Sequence, residues 1–327
     1  MFRMTADIKF GGFLPVKPSS LKWKRHLDNV CDTASITLPG ICRLVGKKSE
    51  YKNVNTAQQF KEGTPVEIYA GYDGKNDLQF KGFISRVNYR IPVEIECEGY
   101  SWLLRNKIIT HRFGRTTVKK VLEFLTEGTA IKLSAKMPDS IKFEPVTFDN
   151  YTALQVLEFL KEKYLLTVCF FYDELYVGWR ATFVGNTVKL RLNWNVADDG
   201  SLVFNTYTGA TVHMEPVSRG TDGKKKKARA GNALNPGNIK RINTLIQDEA
   251  DKLAAANDSQ LKAQQQGYRG NLTAFLKPFI QPGDTIQIID KKYPERNGSY
   301  FCPGVDGSFS TNGGRQKADI DFKLNNG

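Results

Sequence analysis

The chain has 327 residues, enough for two or three domains that each bury a core, which excludes small disulfide-stapled and fibrous classes. Its 47 lysines and arginines against 34 aspartates and glutamates leave a net charge of +13, yet 40% hydrophobic and 11% aromatic content marks a folded protein and not a basic disordered tail. Between residues 1 and 25 six cations (Arg3, Lys9, Lys17, Lys22, Lys24, Arg25) oppose only Asp7, and between 219 and 229 six more (Arg219, Lys224, Lys225, Lys226, Lys227, Arg229) oppose only Asp222, so the charge reads as two basic appendages on a body near balance.

From the start to residue 107 the pattern is β. Runs at 34–38, 65–70, 78–88 and 93–98 alternate or cluster β-branched and aromatic residues, and Asp73-Gly74 supplies a hairpin turn. A first antiparallel β-barrel is expected over 1–107. Over 108–180 the period becomes helical. Thr117 precedes Val118, Val121, Leu122 and Leu125, the apolar stripe of a helix with a hydroxyl residue in capping position. The device recurs 35 residues later, where Thr152 precedes Ala153, Val156, Leu157 and Leu160, and the pentapeptide Val-Leu-Glu-Phe-Leu stands at both 121–125 and 156–160. A hairpin turning at Tyr172-Asp173-Glu174 completes a small α+β domain. Strands return at 187–194, 201–207 and 211–216. A Gly- and Lys-rich loop follows over 218–238, then a helix over 239–266 with Ile239, Ile242, Ile246 and Leu253 on one face, then further strands. The segment 181–327 is expected to be a second β-barrel carrying that loop and that helix.

The last block echoes the first. Glu62-Gly63-Thr64-Pro65-Val66-Glu67-Ile68 parallels Pro282-Gly283-Asp284-Thr285-Ile286-Gln287-Ile288, and the distance from Gly63 to Phe80 equals that from Gly283 to Tyr300, 17 residues in each case. Chance likeness of two Gly-led strands and duplication of a β unit both account for this. The fold class that duplication implies is a β-rich α+β chain with two related antiparallel barrels and a small α+β domain between them.

Catalytic chemistry finds no residues to carry it. Cys31, Cys42, Cys97, Cys169 and Cys302 are odd in number and widely spaced, which suits free buried thiols in a reducing compartment. His26, His111 and His213 are not at metal-ligand spacing from one another or from the cysteines. The chain has no nucleophile elbow, phosphate-binding loop or HExxH, and Asp198-Asp199-Gly200 reads as a hairpin turn, not a pair of catalytic acids. Neither enzyme activity, a metal nor a cofactor is expected. Lys224 to Lys227 with Arg229 could grip a polyanion or a partner, which makes nucleic-acid binding the alternative reading, but no aromatic residue is interleaved among the lysines as a stacking platform. The start of the chain lacks the continuous apolar run of a signal peptide and no stretch is apolar enough to span a membrane, so synthesis in the cytoplasm and no membrane partner are expected.

Several stretches together resemble the phage baseplate hub proteins of the Mu-like 43 kDa tail protein family, also called late control D proteins, and the N-terminal hub of type VI secretion valine-glycine repeat proteins. They are Ile68-Tyr69-Ala70-Gly71-Tyr72 with Phe80-Lys81-Gly82-Phe83-Ile84, Glu98-Gly99-Tyr100-Ser101-Trp102-Leu103-Leu104, the two Thr-led helices, and Leu175-Tyr176-Val177-Gly178. Further on come Gly267-Tyr268-Arg269-Gly270-Asn271-Leu272-Thr273, Pro282-Gly283-Asp284 and Tyr293-Pro294-Glu295-Arg296-Asn297-Gly298-Ser299-Tyr300. The resemblance implies two tube-forming barrels per chain and a homotrimer whose six barrels match a six-fold tail tube. It implies contacts with a separate spike protein, the tail tube protein, the tape-measure protein and baseplate wedge proteins. Nucleic acid would at most pass through the channel, and the protein, made in the bacterial cytoplasm, would end in the baseplate of a virion tail or injection machine. Gly63 and Gly283 would then mark equivalent turns of the two barrels.

Overall fold

The computed structural model describes residues 3–11, 15–45, 51–180, 185–199, 201–205, 211–216, 228–230, 239–263 and 267–324. The chain is β-rich with a few helices and forms two compact units. The first gathers Met1–Trp102, Gly185–Leu202 and Gly270–Asp321; the second gathers Leu103–Val184, Val203–Arg269 and Phe322–Gly327.

One long ladder dominates the first unit. Its strands follow in the order Met4–Phe10, Pro65–Tyr72, Lys75–Asn88, Val93–Glu98, Thr33–Leu38, Ser20–His26, Gly304–Ser310, Gly313–Ile320, Gly267–Phe275 and Val196–Asp198. Strands expected in two separate barrels therefore run on through a single sheet, and among the described residues its two ends are not hydrogen-bonded to each other, so neither half is a closed barrel. The hairpin at Asp73-Gly74 forms as its dipeptide dictates, with φ of +52° and +79°, the left-handed pair whose twist suits adjoining strands. Alternation sends one face inward: Thr33–Leu38 buries Ala34, Ile36 and Leu38, and Ser20–His26 buries Leu21, Trp23 and Arg25. Ala34, Ile36, Leu38, Leu21 and Trp23 join Ile8, Phe10, Phe60, Ile68, Phe80, Ile84 and Ile95 in one core, to which the C-terminal part of the chain contributes Leu276. Each large side chain fully removed from water stabilises the fold by about 1.5–3 kcal/mol.

The two parts of the sheet meet where Ser20–His26 pairs with Gly304–Ser310, with Trp23 opposite Gly307 and His26 opposite Gly304. The indole of Trp23 lies flat on Gly307, where a Cβ would fall inside the ring's van der Waals envelope, and at Gly304 a Cβ would strike the His26 ring. Here too the N-terminal charge is absorbed. The first 25 residues supply two strands of the sheet and not an appendage: Lys9 pairs with Glu67 at 3.6 Å, Lys17 with Asp7 at 2.5 Å, and Arg25, only 3% exposed, with Asp32 at 3.3 Å. Arg25 points to the core face because its strand alternates, and a buried guanidinium needs a carboxylate beside it. Burial pushes the Asp32 carboxyl up to about 6, with Arg25 opposing the rise.

The second unit holds both Thr-capped helices. Val118–Thr126 begins with the Thr117 side chain accepting from the Lys120 N–H, and Ala153–Lys163 begins with a reciprocal box between Thr152 and Gln155. Their buried faces are Val118, Val121, Leu122 and Leu125, and Ala153, Val156, Leu157 and Leu160. Around them stands an aromatic cluster in which Phe113 meets Phe124, Phe143 and Phe148 edge-on at 5.4–6.0 Å and Phe143 stacks on Tyr164 at 5.3 Å. The hairpin Thr167–Phe171 and Glu174–Gly178 turns where expected.

The helix expected over 239–266 starts later. Ile239–Thr244 is a strand, parallel to Thr211–Pro216, and the helix is Glu249–Ala263. Its buried residues include Asp251, Lys252, Ala255 and Ala256, while Leu253 is 49% exposed, so the apolar face read from isoleucine spacing is not a helical face. Tertiary hydrogen bonds override the periodicity: the Thr244 hydroxyl and the Leu245 N–H both donate to the Lys163 carbonyl, and the Asp251 carboxylate accepts from the Lys142 N–H at 2.9 Å.

Replacing Gly307 by Ala should cost about 1–3 kcal/mol by overpacking against Trp23. Urea unfolding of G307A, W23A and the double variant checks it, and the double variant should lose clearly less than the sum of the singles because the clash is gone. The Asp32 carboxyl binds its proton more tightly in the folded chain than in the unfolded one. Acidification from about pH 6 to about pH 4 should therefore add up to about 3 kcal/mol, and above pH 6 the cost of burying the carboxylate is borne in full. Unfolding free energies of the native chain and D32N across pH 4–8 should diverge in that window, with the native chain gaining on the variant as pH falls.

Candidate functional site

Gly63 and Gly283 occupy the same local geometry. In each, the residue after the glycine donates to the carbonyl two residues before it, Thr64 to Lys61 and Asp284 to Gln281, both at 3.1 Å. The glycine is the third residue of that turn, with φ of +78° and +92°, the left-handed position that glycine tolerates without strain. Each turn is then bracketed by a later strand: Gly63 N–H donates to Ile84 O and Ile84 N–H to Thr64 O, as Gly283 N–H donates to Cys302 O and Cys302 N–H to Asp284 O. Lys224, Lys225, Lys226 and Lys227 lie outside the described residues. The backbone of Arg229 lies in the strand Ala228–Ala230, opposite His213.

No group of three or more His, Cys, Asp or Glu side chains suited to a metal ion occurs among the described residues. Cys42, Cys97, Cys169 and Cys302 are buried, and desolvation pushes the Cys97 and Cys302 thiols far above the ordinary range, leaving them unreactive at neutral pH. Asp198 and Asp199 do not form the turn of a simple hairpin. Val196–Asp198 and Val203–Asn205 each pair with Gly267–Phe275, and Asp199 receives a hydrogen bond from Arg296 at 2.5 Å.

What the surface offers is apolar and open. Within the first unit, Ile41, Tyr89 and Ile91, 71%, 78% and 90% exposed, edge a hollow of about 460 Å³ over Ala57 and Val93. Beside it Arg90 pairs with Glu94, and the Asn88 amide donates to Glu96. The larger feature is a groove of about 820 Å³ lined by Met4, Tyr72, Asp73, Lys75, Trp194, Asn195, Phe275, Lys277 and Arg315. Trp194 stands in it 81% exposed. The strand expected over 187–194 ends instead at Arg191, because the chain turns there: Trp194 N–H donates to Arg191 O, and the Asn195 side chain accepts from Arg191 N–H at 2.7 Å and donates to Lys189 O at 3.1 Å. Leu192 goes inward and Trp194 outward. The Asn193-Trp194-Asn195 triplet was the available sequence signal, since asparagine bonds locally to backbone and favours turns. Nothing in the sequence placed Met4 or Arg315 beside it.

No protein-family model and no curated protein sequence matches the chain. Solved structures do. The chain is similar over 97% of its length to the 43 kDa tail protein of prophage MuSo2 from Shewanella oneidensis, covering 98% of that chain with a TM-score of 0.64 and 13% identity. It is similar over 98% of its length to the tail protein from Neisseria meningitidis MC58, covering 96% of that chain with a TM-score of 0.65 and 13% identity. It also matches over 98% of its length the E. coli c3393 protein, a type VI secretion system component with structural similarity to T4 bacteriophage tail proteins gp27 and gp5, covering 77% of that chain with a TM-score of 0.60 and 12% identity. The chain thus has the fold of prophage tail proteins and of a secretion-system component, the fold that the order of its motifs implies.

Proposed function

We propose that the protein is a structural baseplate hub of a contractile phage tail or related injection machine. Three copies assemble into a pseudo-six-fold ring that joins the central spike to the tail tube, each copy contributing two related tube-forming β units. The observation that carries this reading is the end-to-end likeness to tail proteins, and the matching turns at Gly63 and Gly283 support the duplication within it. The partners are a second and third copy of the chain, the spike, tail tube, tape-measure and wedge proteins. The role is mechanical, to convert three-fold into six-fold symmetry and to enclose the axial channel, and no reaction is assigned to it.

Light scattering after size exclusion, with and without the spike protein encoded nearby, tests this. A species of three chains that shows six peripheral lobes in negative-stain images is expected once the spike is present. A chain that stays monomeric at tens of micromolar with that spike overturns it.

A further inference from the structure

We propose that the Trp194 groove docks an extended segment of another polypeptide in which an apolar or aromatic side chain is flanked by carboxylates. The floor is apolar, formed by Met4, Tyr72 and Phe275, and Trp194 rises beside it from a turn whose backbone is held by Asn195. The groove side of that turn is tied down as well, since Phe275 N–H donates to Asn195 O at 3.3 Å. A large aromatic side chain exposed on a rigid turn loses little conformational freedom on binding, which is the property of a binding hot spot.

The rim chooses the occupant. Lys277 is held by Asp77 and is neutralised. Arg315 lies over the Phe275 ring at 4.7 Å and donates to the Gly314 carbonyl at 2.8 Å, and neither it nor Lys75 forms an ion pair among the described residues. Two cations free to pair thus flank an aromatic floor, against one carboxylate, Asp73, which accepts from the Arg3 N–H at 2.8 Å. A partner that brings carboxylates on either side of an apolar side chain satisfies both cations and fills the floor. Single-stranded nucleic acid would set a phosphate backbone against Asp73.

The full chain, titrated into a fluorescein-labelled ten-residue peptide with a central leucine–phenylalanine pair flanked on each side by two glutamates, tests the proposal by fluorescence anisotropy. The same peptide with lysines for glutamates is the control. The glutamate peptide should bind at least about tenfold more tightly than the lysine peptide. W194A should weaken it by about tenfold or more with an unchanged melting temperature, since Trp194 is exposed. R315E or K75E should weaken the glutamate peptide and strengthen the lysine one; either variant suffices if the other fails to fold. L253A, on an exposed helix face of the second unit and not a lining residue of the groove, should change nothing. Equal affinity for the two peptides, no effect of W194A, or no binding at about 1 mM peptide, a concentration at which even a weak contact registers, overturns the proposal. Displacement of the peptide by oligothymidylate would reassign the groove to nucleic acid, and a W194A-sensitive self-association in sedimentation velocity would reassign it to a second copy. Trimer formation with the spike is a separate readout, so the hub reading and this one can fail independently.

Discussion

The flat contact of Trp23 on Gly307 is the constraint on which the sheet of the first unit depends. It falls in the ladder that, among the described residues, joins the strands of residues 4–98 to those of residues 196–320 in the long sheet. At this junction the inner face is filled by an indole that needs the space a side chain at 307 would take. Three residues along the same ladder, the His26 ring fills the space beside Gly304. Given that junction, Leu276 and Phe309 from the C-terminal part pack into a core otherwise made by the first hundred residues. The unit is therefore one compact body assembled from three separated stretches of chain, and its groove is lined by residues from all three.

The same strand shows how the basic surplus is accommodated. Arg25 lies one step of the alternation beyond Trp23, which commits it to the interior, and Asp32 meets it there. A buried pair of this type gives little net stability, because desolvation consumes most of the attraction; the raised Asp32 carboxyl is the sign of that cost. What it gives is register: a one-residue slip would turn Leu21, Trp23 and Arg25 to solvent together. The N-terminal cations are thus structural in part, and the net charge of the chain is no guide by itself to a polyanion partner.

The likeness of the Gly63 and Gly283 turns extends to hydrogen bonds but not to the strands beyond them. Pro65–Tyr72 pairs antiparallel with Met4–Phe10, whereas Thr285–Ile289 pairs parallel with Thr187–Arg191. Turn geometry is local, set by a glycine at a left-handed position and its bracketing strand, and it persists where pairing partners differ. Two different sheets therefore carry similar turn-and-strand units without forming two equivalent closed rings.

Elements governed by neighbours in sequence were legible from the sequence alone. The two Thr-capped helices, the Asp73-Gly74 hairpin and the turn at Tyr172-Asp173 follow from capping, apolar period and turn chemistry, all of which act within a few residues. The order of motifs also sufficed to imply the tail-protein fold. Tertiary structure alone decided the rest: that Ile239–Thr244 is a strand and Leu253 faces water, that the N-terminal cations are built into the sheet, and that Trp194, Phe275 and Arg315 share one groove. Each of these rests on contacts between residues far apart in the chain, such as Asp251 with Lys142 or Trp23 with Gly307. Local period carries no information about such partners, because their energy appears only when the chain has already folded them together.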